Sequence, residues 1–249
     1  MRQSVRQLVI LCLLLLLTAC ASSPQEGTAS PTPTPPAPTP SPTPPAVPKR
    51  TVQFSSRDGI KLTGWLYGAS GQTAVICSHM RRGSKQEWEM LAPWLAQQGL
   101  RVLAYDYRGN GDSEGDDNTS KYELDLLGAI TFMQQQGANK IVLIGASIGG
   151  TTSLLTAAQT KVAGVITLSA PFISWVDEQT VRKITAPQLI INSEDDTYHE
   201  DTEKLYQVAN APKEMHIYSG SAHGTDLFYE EHWQDLLKRI LTFVHTYAN

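Results

Sequence analysis

Lys140-Ile141-Val142-Leu143-Ile144-Gly145-Ala146-Ser147-Ile148-Gly149-Gly150-Thr151-Thr152-Ser153-Leu154-Leu155 is the most informative run in this chain. It passes from a β-branched apolar stretch, through Gly-x-Ser-x-Gly, into a helical pattern, which sets Ser147 on a tight turn between strand and helix. On such a turn the serine backbone is strained and its Oγ stands above the carboxyl edge of a sheet. Glycines two residues before and two after it leave room where side chains would strike neighbouring backbone. The Ile148 amide, first in the new helix, then faces the oxyanion that forms if Ser147 attacks a carbonyl. A glycine-rich turn of this kind can also cradle a phosphate. A phosphate loop, however, wants Lys then Ser or Thr after its last glycine, and here Thr151-Thr152 follows Gly149-Gly150.

The chain has 249 residues, 41% hydrophobic and 18% charged, enough for one α/β domain and an appendage. The appendage is N-terminal. Arg2 and Arg6 precede an apolar run over residues 8–17, too short for a permanent membrane span but suited to a secretory signal. The run ends Leu17-Thr18-Ala19-Cys20, which resembles the lipobox of bacterial lipoproteins. That resemblance implies a signal peptide over 1–19, a lipidated Cys20 as the new N-terminus, and a domain held at the extracytoplasmic side of the bacterial cell membrane. The alternative is an ordinary Ala19-Cys20-Ala21 cleavage site and a soluble secreted protein. Residues 21–50 are dominated by Ser, Thr, Ala and Pro, a composition that builds no core and reads as an extended stalk. At about 3.1 Å per residue it reaches up to about 90 Å. With Cys12 lost and Cys20 lipidated, Cys77 alone remains and no intrachain disulfide is expected. Loss of Arg2 and Arg6 takes the formal charge from −4 to −6, which argues against nucleic acid as a partner.

The folded domain is expected over 51–249. Residues 51–54 and 60–67 alternate as an antiparallel hairpin around Arg57-Asp58-Gly59. Strand patterns follow at 73–78, 101–105, 140–144, 162–168, 188–192 and 214–218, with helical stretches around 85–98, 119–136, 148–160, 199–209 and 229–247. That alternation predicts a mostly parallel, doubly wound sheet with its ligand site at the carboxyl ends of the strands.

Several separated motifs now agree in order. Asp106-Tyr107-Arg108-Gly109-Asn110-Gly111-Asp112-Ser113 follows one strand, Ser193-Glu194-Asp195-Asp196 another, and Ser219-Gly220-Ser221-Ala222-His223-Gly224 the last. With the serine turn they resemble the α/β-hydrolase family over essentially all of 51–249. The resemblance implies a catalytic triad in the chain order Ser, acid, His: Ser147 as nucleophile, Asp196 as acid and His223 as base. Asp195 is the alternative acid if the loop shifts by one residue, and Ser193 stands where the family has glycine. Asp106 and Arg108 read as structural. The loop after 73–78 reads Ser78-His79-Met80-Arg81-Arg82-Gly83, with Met80 in place of the family's glycine. By that alignment the Arg81 amide joins the Ile148 amide as oxyanion donor, and His79 braces the loop. Arg81 and Arg82 either favour an acidic substrate group or are a solvated pair.

Only residues 169–186 separate two strands where many members insert a helical lid, so a single short helix fits and no large cap domain. The site is then open, bordered by Phe172, Trp175, Tyr198 and Phe228. These implications converge on a carboxylesterase for small or medium acyl esters, working without metal or cofactor. The same triad serves a thioesterase, an acyltransferase or a peptidase, and a membrane-tethered, non-catalytic binding domain is the rival from another class. Against that rival stand Ser147, Asp196 and His223 together. Serine at the turn also disfavours the aspartate-nucleophile relatives.

Overall fold

In the computed structural model, residues 47, 49–68, 71–173 and 176–248 are described. The signal peptide expected over 1–19, Cys20 and residues 21–46 of the expected stalk lie outside them, as does Trp175. Eight strands form one sheet in the order β1-β2-β4-β3-β5-β6-β7-β8. The hairpin β1 (Lys49–Ser55) and β2 (Lys61–Tyr67) is antiparallel, and β2 joins the parallel body by pairing antiparallel to β4 (Arg101–Tyr105). The first strand thus begins at Lys49, two residues ahead of the boundary read from the sequence. Then β3 (Thr73–Ser78), β4, β5 (Lys140–Ala146), β6 (Gly164–Leu168), β7 (Gln188–Ser193) and β8 (Lys213–Tyr218) run parallel.

Near-continuous apolar strands are what a sheet covered on both faces requires, and their alternation assigns the faces. Val75, Cys77, Val102, Ala104, Val142 and Ile144 pack with α1 (Leu91–Gln97) and α6 (Trp233–Ala248). Ala74, Ile76, Leu103, Ile141 and Leu143 point the other way, onto α2 (Tyr122–Gln135). Val165 and Ile190 continue that second face under α3 (Ile148–Ala157) and α5 (His199–Val208). Each fully buried aliphatic side chain contributes about 1.5–3 kcal/mol of transfer free energy, so this two-sided core holds the sheet without a cross-link. Cys77 lies in it as a free thiol, and burial pushes its pKa well up, so it behaves as a small hydrophobe.

Two elements differ from the sequence reading. Residues 85–98 are not one helix: a 3-10 turn at Lys85–Trp88 precedes α1, which begins only at Leu91. The last helix starts at Trp233, after a 3-10 stretch at Gly224–Tyr229, so His232 sits just before it. Between β6 and β7 the described residues hold one short helix, the four-residue α4 (Glu178–Val181), as the sequence led one to expect.

Candidate active site

β5 lies in the middle of the sheet between β3 and β6 and runs on to Ala146, which delivers Ser147 at the carboxyl edge. Ser147 takes φ 51°, ψ −122°, a conformation that L residues avoid and that only a well-anchored turn maintains. The anchors are its own amide, which donates to Leu168 O at 2.8 Å, and its carbonyl, which accepts from Gly150 N and Thr151 N. The flanking glycines are steric necessities. A Cβ at Gly145 would stand 2.1 Å from Gly149 O, and one at Gly149 would stand 2.2 Å from Ser78 O. The second contact presses the start of α3 against the end of β3, beside the Met80–Gly83 turn. Ile148, as the first residue of α3, has an amide with no intrahelical acceptor.

The loops after β7 and β8 meet through Asp196 and His223, whose Oδ2 and Nδ1 are 2.7 Å apart. The other oxygen, Oδ1, accepts from Tyr198 N at 2.7 Å and from Asn192 Nδ2 at 3.2 Å. Three donors on a carboxylate side chain only 2% exposed fix its orientation, while the imidazole remains 30% exposed. Asp195 is exposed, and its amide donates to Gly220 O, so of the two candidate acids Asp196 is the one on the histidine. Ser193 has a use that glycine would lack: its hydroxyl donates to Ala222 O, one residue before His223. Ser169, at φ 52°, donates to Asn192 Oδ1 and accepts from Gly224 N, tying the acid and base loops to the end of β6. A Cβ on Gly224 would meet Met80 Sδ at 2.6 Å and Ala146 Cβ at 3.3 Å. The sequence neighbours of Arg81, Ser147 and His223 therefore converge on one point.

On the remaining side, Gly83 N donates to Met80 O at 3.1 Å and closes a turn with Arg81 and Arg82 at its corners, Arg82 at φ 58°. Both arginine side chains are exposed, and neither makes an ion pair among the described residues. His79 braces the loop: Nδ1 contacts Met80 O at 2.6 Å and Nε2 accepts from Tyr107 N at 3.0 Å. Those two bonds assign a neutral ring with the proton on Nδ1, and burial lowers its pKa in agreement. Asp106 and Arg108 are structural, as their motif implied. Asp106 accepts from Lys85 N and Nζ and from Asp112 N, while Arg108 holds both Asp58 and Asp125. Burial alone would lower the Lys85 ammonium, but Asp106 and Asp112 outweigh it and the net shift is upward.

The expected rim needs one correction. Phe228 is fully buried and packs edge-on against Trp88, because the 3-10 stretch after His223 turns it into the core. Tyr198 does stand beside the base, its ring 5.5 Å from that of His223, and Phe172 is partly exposed under Lys204 Nζ. Sequence reasoning missed Ser169, Asn192 and Lys85. Ser169 directly follows β6 and Asn192 lies near the end of β7, unremarkable polar positions that only their packing reveals. Among the described residues no group of His, Cys, Asp and Glu could hold a metal ion.

A family model described as alpha/beta hydrolase fold matches residues 73–187. With the sheet order and the turn at Ser147, that match gives the chain the α/β-hydrolase fold. Uncharacterized protein YfhR of Escherichia coli O157:H7 is 25% identical over 232 residues, covering 80% of this chain and 81% of that one. Polyketide transferase af380 of Aspergillus fumigatus is 35% identical over 120 residues, 44% of this chain and 40% of the relative. The structure of the Pyrococcus furiosus esterase Pf2001 superposes with a TM-score of 0.74 at 18% identity, over 82% of this chain and 92% of that chain.

Proposed function

We propose that this hydrolase is a serine carboxylesterase acting on small or medium acyl esters. The observation that carries the proposal is the 2.7 Å bond from His223 Nδ1 to a buried Asp196, which leaves Nε2 for the hydroxyl of a strained Ser147. In that arrangement Nε2 takes the Ser147 proton as Oγ attacks the ester carbonyl. The tetrahedral oxyanion is received by the Ile148 and Arg81 amides. His223 then returns the proton to the departing alcohol, leaving an acyl-serine, and water activated by the same nitrogen releases the acid. The short connection through α4 leaves the site open, which supports small or medium acyl groups. The test is fluorophosphonate labelling of the full chain, followed by turnover of p-nitrophenyl esters graded by acyl length. Stoichiometric labelling lost in Ser147→Ala is expected. A chain that neither labels nor turns over any ester is instead a binding domain that kept the fold.

Acyl transfer is the second reading, favoured by the likeness to proteins named polyketide transferase. It needs no new residue, only an alcohol that reaches the acyl-serine before water. Adding an alcohol acceptor during turnover separates the two: transfer yields a new ester at the expense of free acid.

The N-terminal reading is proposed on sequence alone: Cys20 is lipidated and anchors the exported domain to the bacterial cell membrane. Detergent-phase partitioning of the wild type, lost in Cys20→Ala, is the expected outcome, and equal partitioning of both into the aqueous phase overturns it.

A further inference from the structure

Met80 is held from both sides. Its carbonyl accepts from Gly83 N and contacts His79 Nδ1, and its amide donates to Glu87 Oε2 at 2.9 Å. The carbonyl side matters because Met80 C=O and Arg81 N–H belong to one trans peptide, so fixing the oxygen in one direction aims the amide in the opposite one. Glu87 fixes the peptide before it. Its carboxylate lies so close to the loop that a Cβ on Gly83 would stand 1.8 Å from Oε1. Thr225, two residues after His223, lies beside the same carboxylate and favours its charged form, while burial holds its pKa above the ordinary value. Next to it, Trp88 packs on Phe228 with ring centroids 6.1 Å apart. The 3-10 turn at Lys85–Trp88 therefore joins the loop after β3 to the loop after β8.

We infer that Glu87 is the positioning residue of the oxyanion site, holding the Met80 amide from beside Thr225 so that the Arg81 amide keeps a fixed aim relative to Ser147 and His223. The inference rests on the serine-hydrolase reading above. Glu87 touches no reacting atom, and its effect passes through Met80. A donor that must reorganise at the moment of reaction loses most of its worth, and complete loss of one such donor costs about 10²–10³ in kcat. Ground-state binding of the acyl group does not depend on that donor, so the loss falls on kcat and spares KM.

The experiment compares wild type, Glu87→Ala, Glu87→Gln and Thr225→Val as full chains on one p-nitrophenyl ester. Rates are divided by the serine titrated with fluorophosphonate, which removes any difference in folded fraction. Glu87→Ala should lower kcat per titrated serine about 10- to 100-fold with KM within about threefold, and should weaken an aryl trifluoromethyl ketone inhibitor by a similar factor. Glu87→Gln should recover most of the loss, since its amide oxygen can accept from Met80 N and its amide nitrogen can donate to Thr225. Thr225→Val, which removes the hydroxyl beside Glu87 without emptying the site, should lose about 3- to 10-fold in kcat; it keeps the test open if Glu87→Ala does not fold. The inference is overturned if both Glu87→Ala and Thr225→Val match wild type per titrated serine, or if their losses lie in KM. A wild type inert to both ester and fluorophosphonate overturns the hydrolase reading, and the inference with it.

Discussion

Two ion pairs stand at the carboxyl edge of the same sheet, and they differ in access. Lys85 and Asp106 are sealed, with side chains 1% and 0% exposed, and they bind one another, Asp112, nearby backbone and, through the ammonium, the face of Trp65. Asp196 is sealed as well, at 2%, but its partner His223 keeps 30% of its side chain open. A pair closed at both ends can hold loops and cannot pass a proton to anything. A pair with a buried acid and an open base can, provided that a hydroxyl stands at the open end. Burial of charge is thus no guide to chemistry by itself; the asymmetry of burial is.

The comparison breaks first at Ser147. Ser147→Ala should reduce kcat for a small p-nitrophenyl ester by about 10⁴ to 10⁶, because it removes the nucleophile of the proposed reaction. His223→Ala should cost about as much, and the double variant scarcely more, since the residues act as one device. Activity retained in Ser147→Ala would mean that the open histidine serves another group. The closed end is next. Asp196→Asn should cost about 10⁴ in kcat, because an amide at that position turns the imidazole to the wrong tautomer. Asp195→Asn, exposed and off the histidine, should stay within about twofold. A reversal of those two outcomes would assign the acid to the neighbouring residue.

The open pair was legible in the sequence and the sealed one was not. Each signal for Ser147, Asp196 and His223 is local: a strand pattern, then a short motif at its carboxyl end. Strand order then brings the three ends together at the carboxyl edge, where the alternation of strands and helices places the ligand site. Lys85 offers no such signal. Its partner lies 21 residues away across β4, and the stretch around it reads as an ordinary helix start. Ser169 and Asn192 are similarly mute, since a polar residue ending a strand is common and only φ 52° at Ser169 and its two bonds reveal the strap. Phe228 was misread because an aromatic near a catalytic loop suggests a pocket wall, whereas a 3-10 turn of the right length carries it inward against Trp88.

Stability tests the sealed pair. Lys85→Met leaves Asp106 fully buried without its cation, and breaking a buried pair from one side typically costs about 3–5 kcal/mol. For a domain of this size that is a fall in Tm of roughly 10 °C, read by thermal unfolding at neutral pH. A shift of about a degree would show that Asp112 N and Lys85 N already satisfy Asp106 and that the ammonium adds little.

The smallest effect belongs to Asp58, which lies between the two extremes: its side chain is 32% exposed, and Arg108, which it pairs with, is 4% exposed. The bonds from Arg108, chiefly, hold the Asp58 carboxyl well below its ordinary value of 3.8, against a smaller opposing push from burial. A carboxylate whose folded pKa is depressed contributes stability that is fully present above the unfolded value and is lost as pH falls through the folded one. The wild type should therefore shed this contribution as the pH drops below about 4. Asp125 holds the same guanidinium, and burial pushes its carboxyl upward, which acts in the opposite sense over the same range. It is present in wild type and in Asp58→Asn alike, so the difference between the two isolates Asp58. Because Asp125 still pairs Arg108, the variant should lose only a degree or two of Tm at pH 7, as expected of a partly exposed pair. The gap should narrow steadily as the pH falls below about 4, where the unfolded carboxyl takes up a proton and the folded one, held low by Arg108, does not. A gap that stays constant from pH 7 down to that range would mean that Asp58 acts through its hydrogen-bonded shape, and that charge at the open edge of the Arg108 cluster contributes nothing.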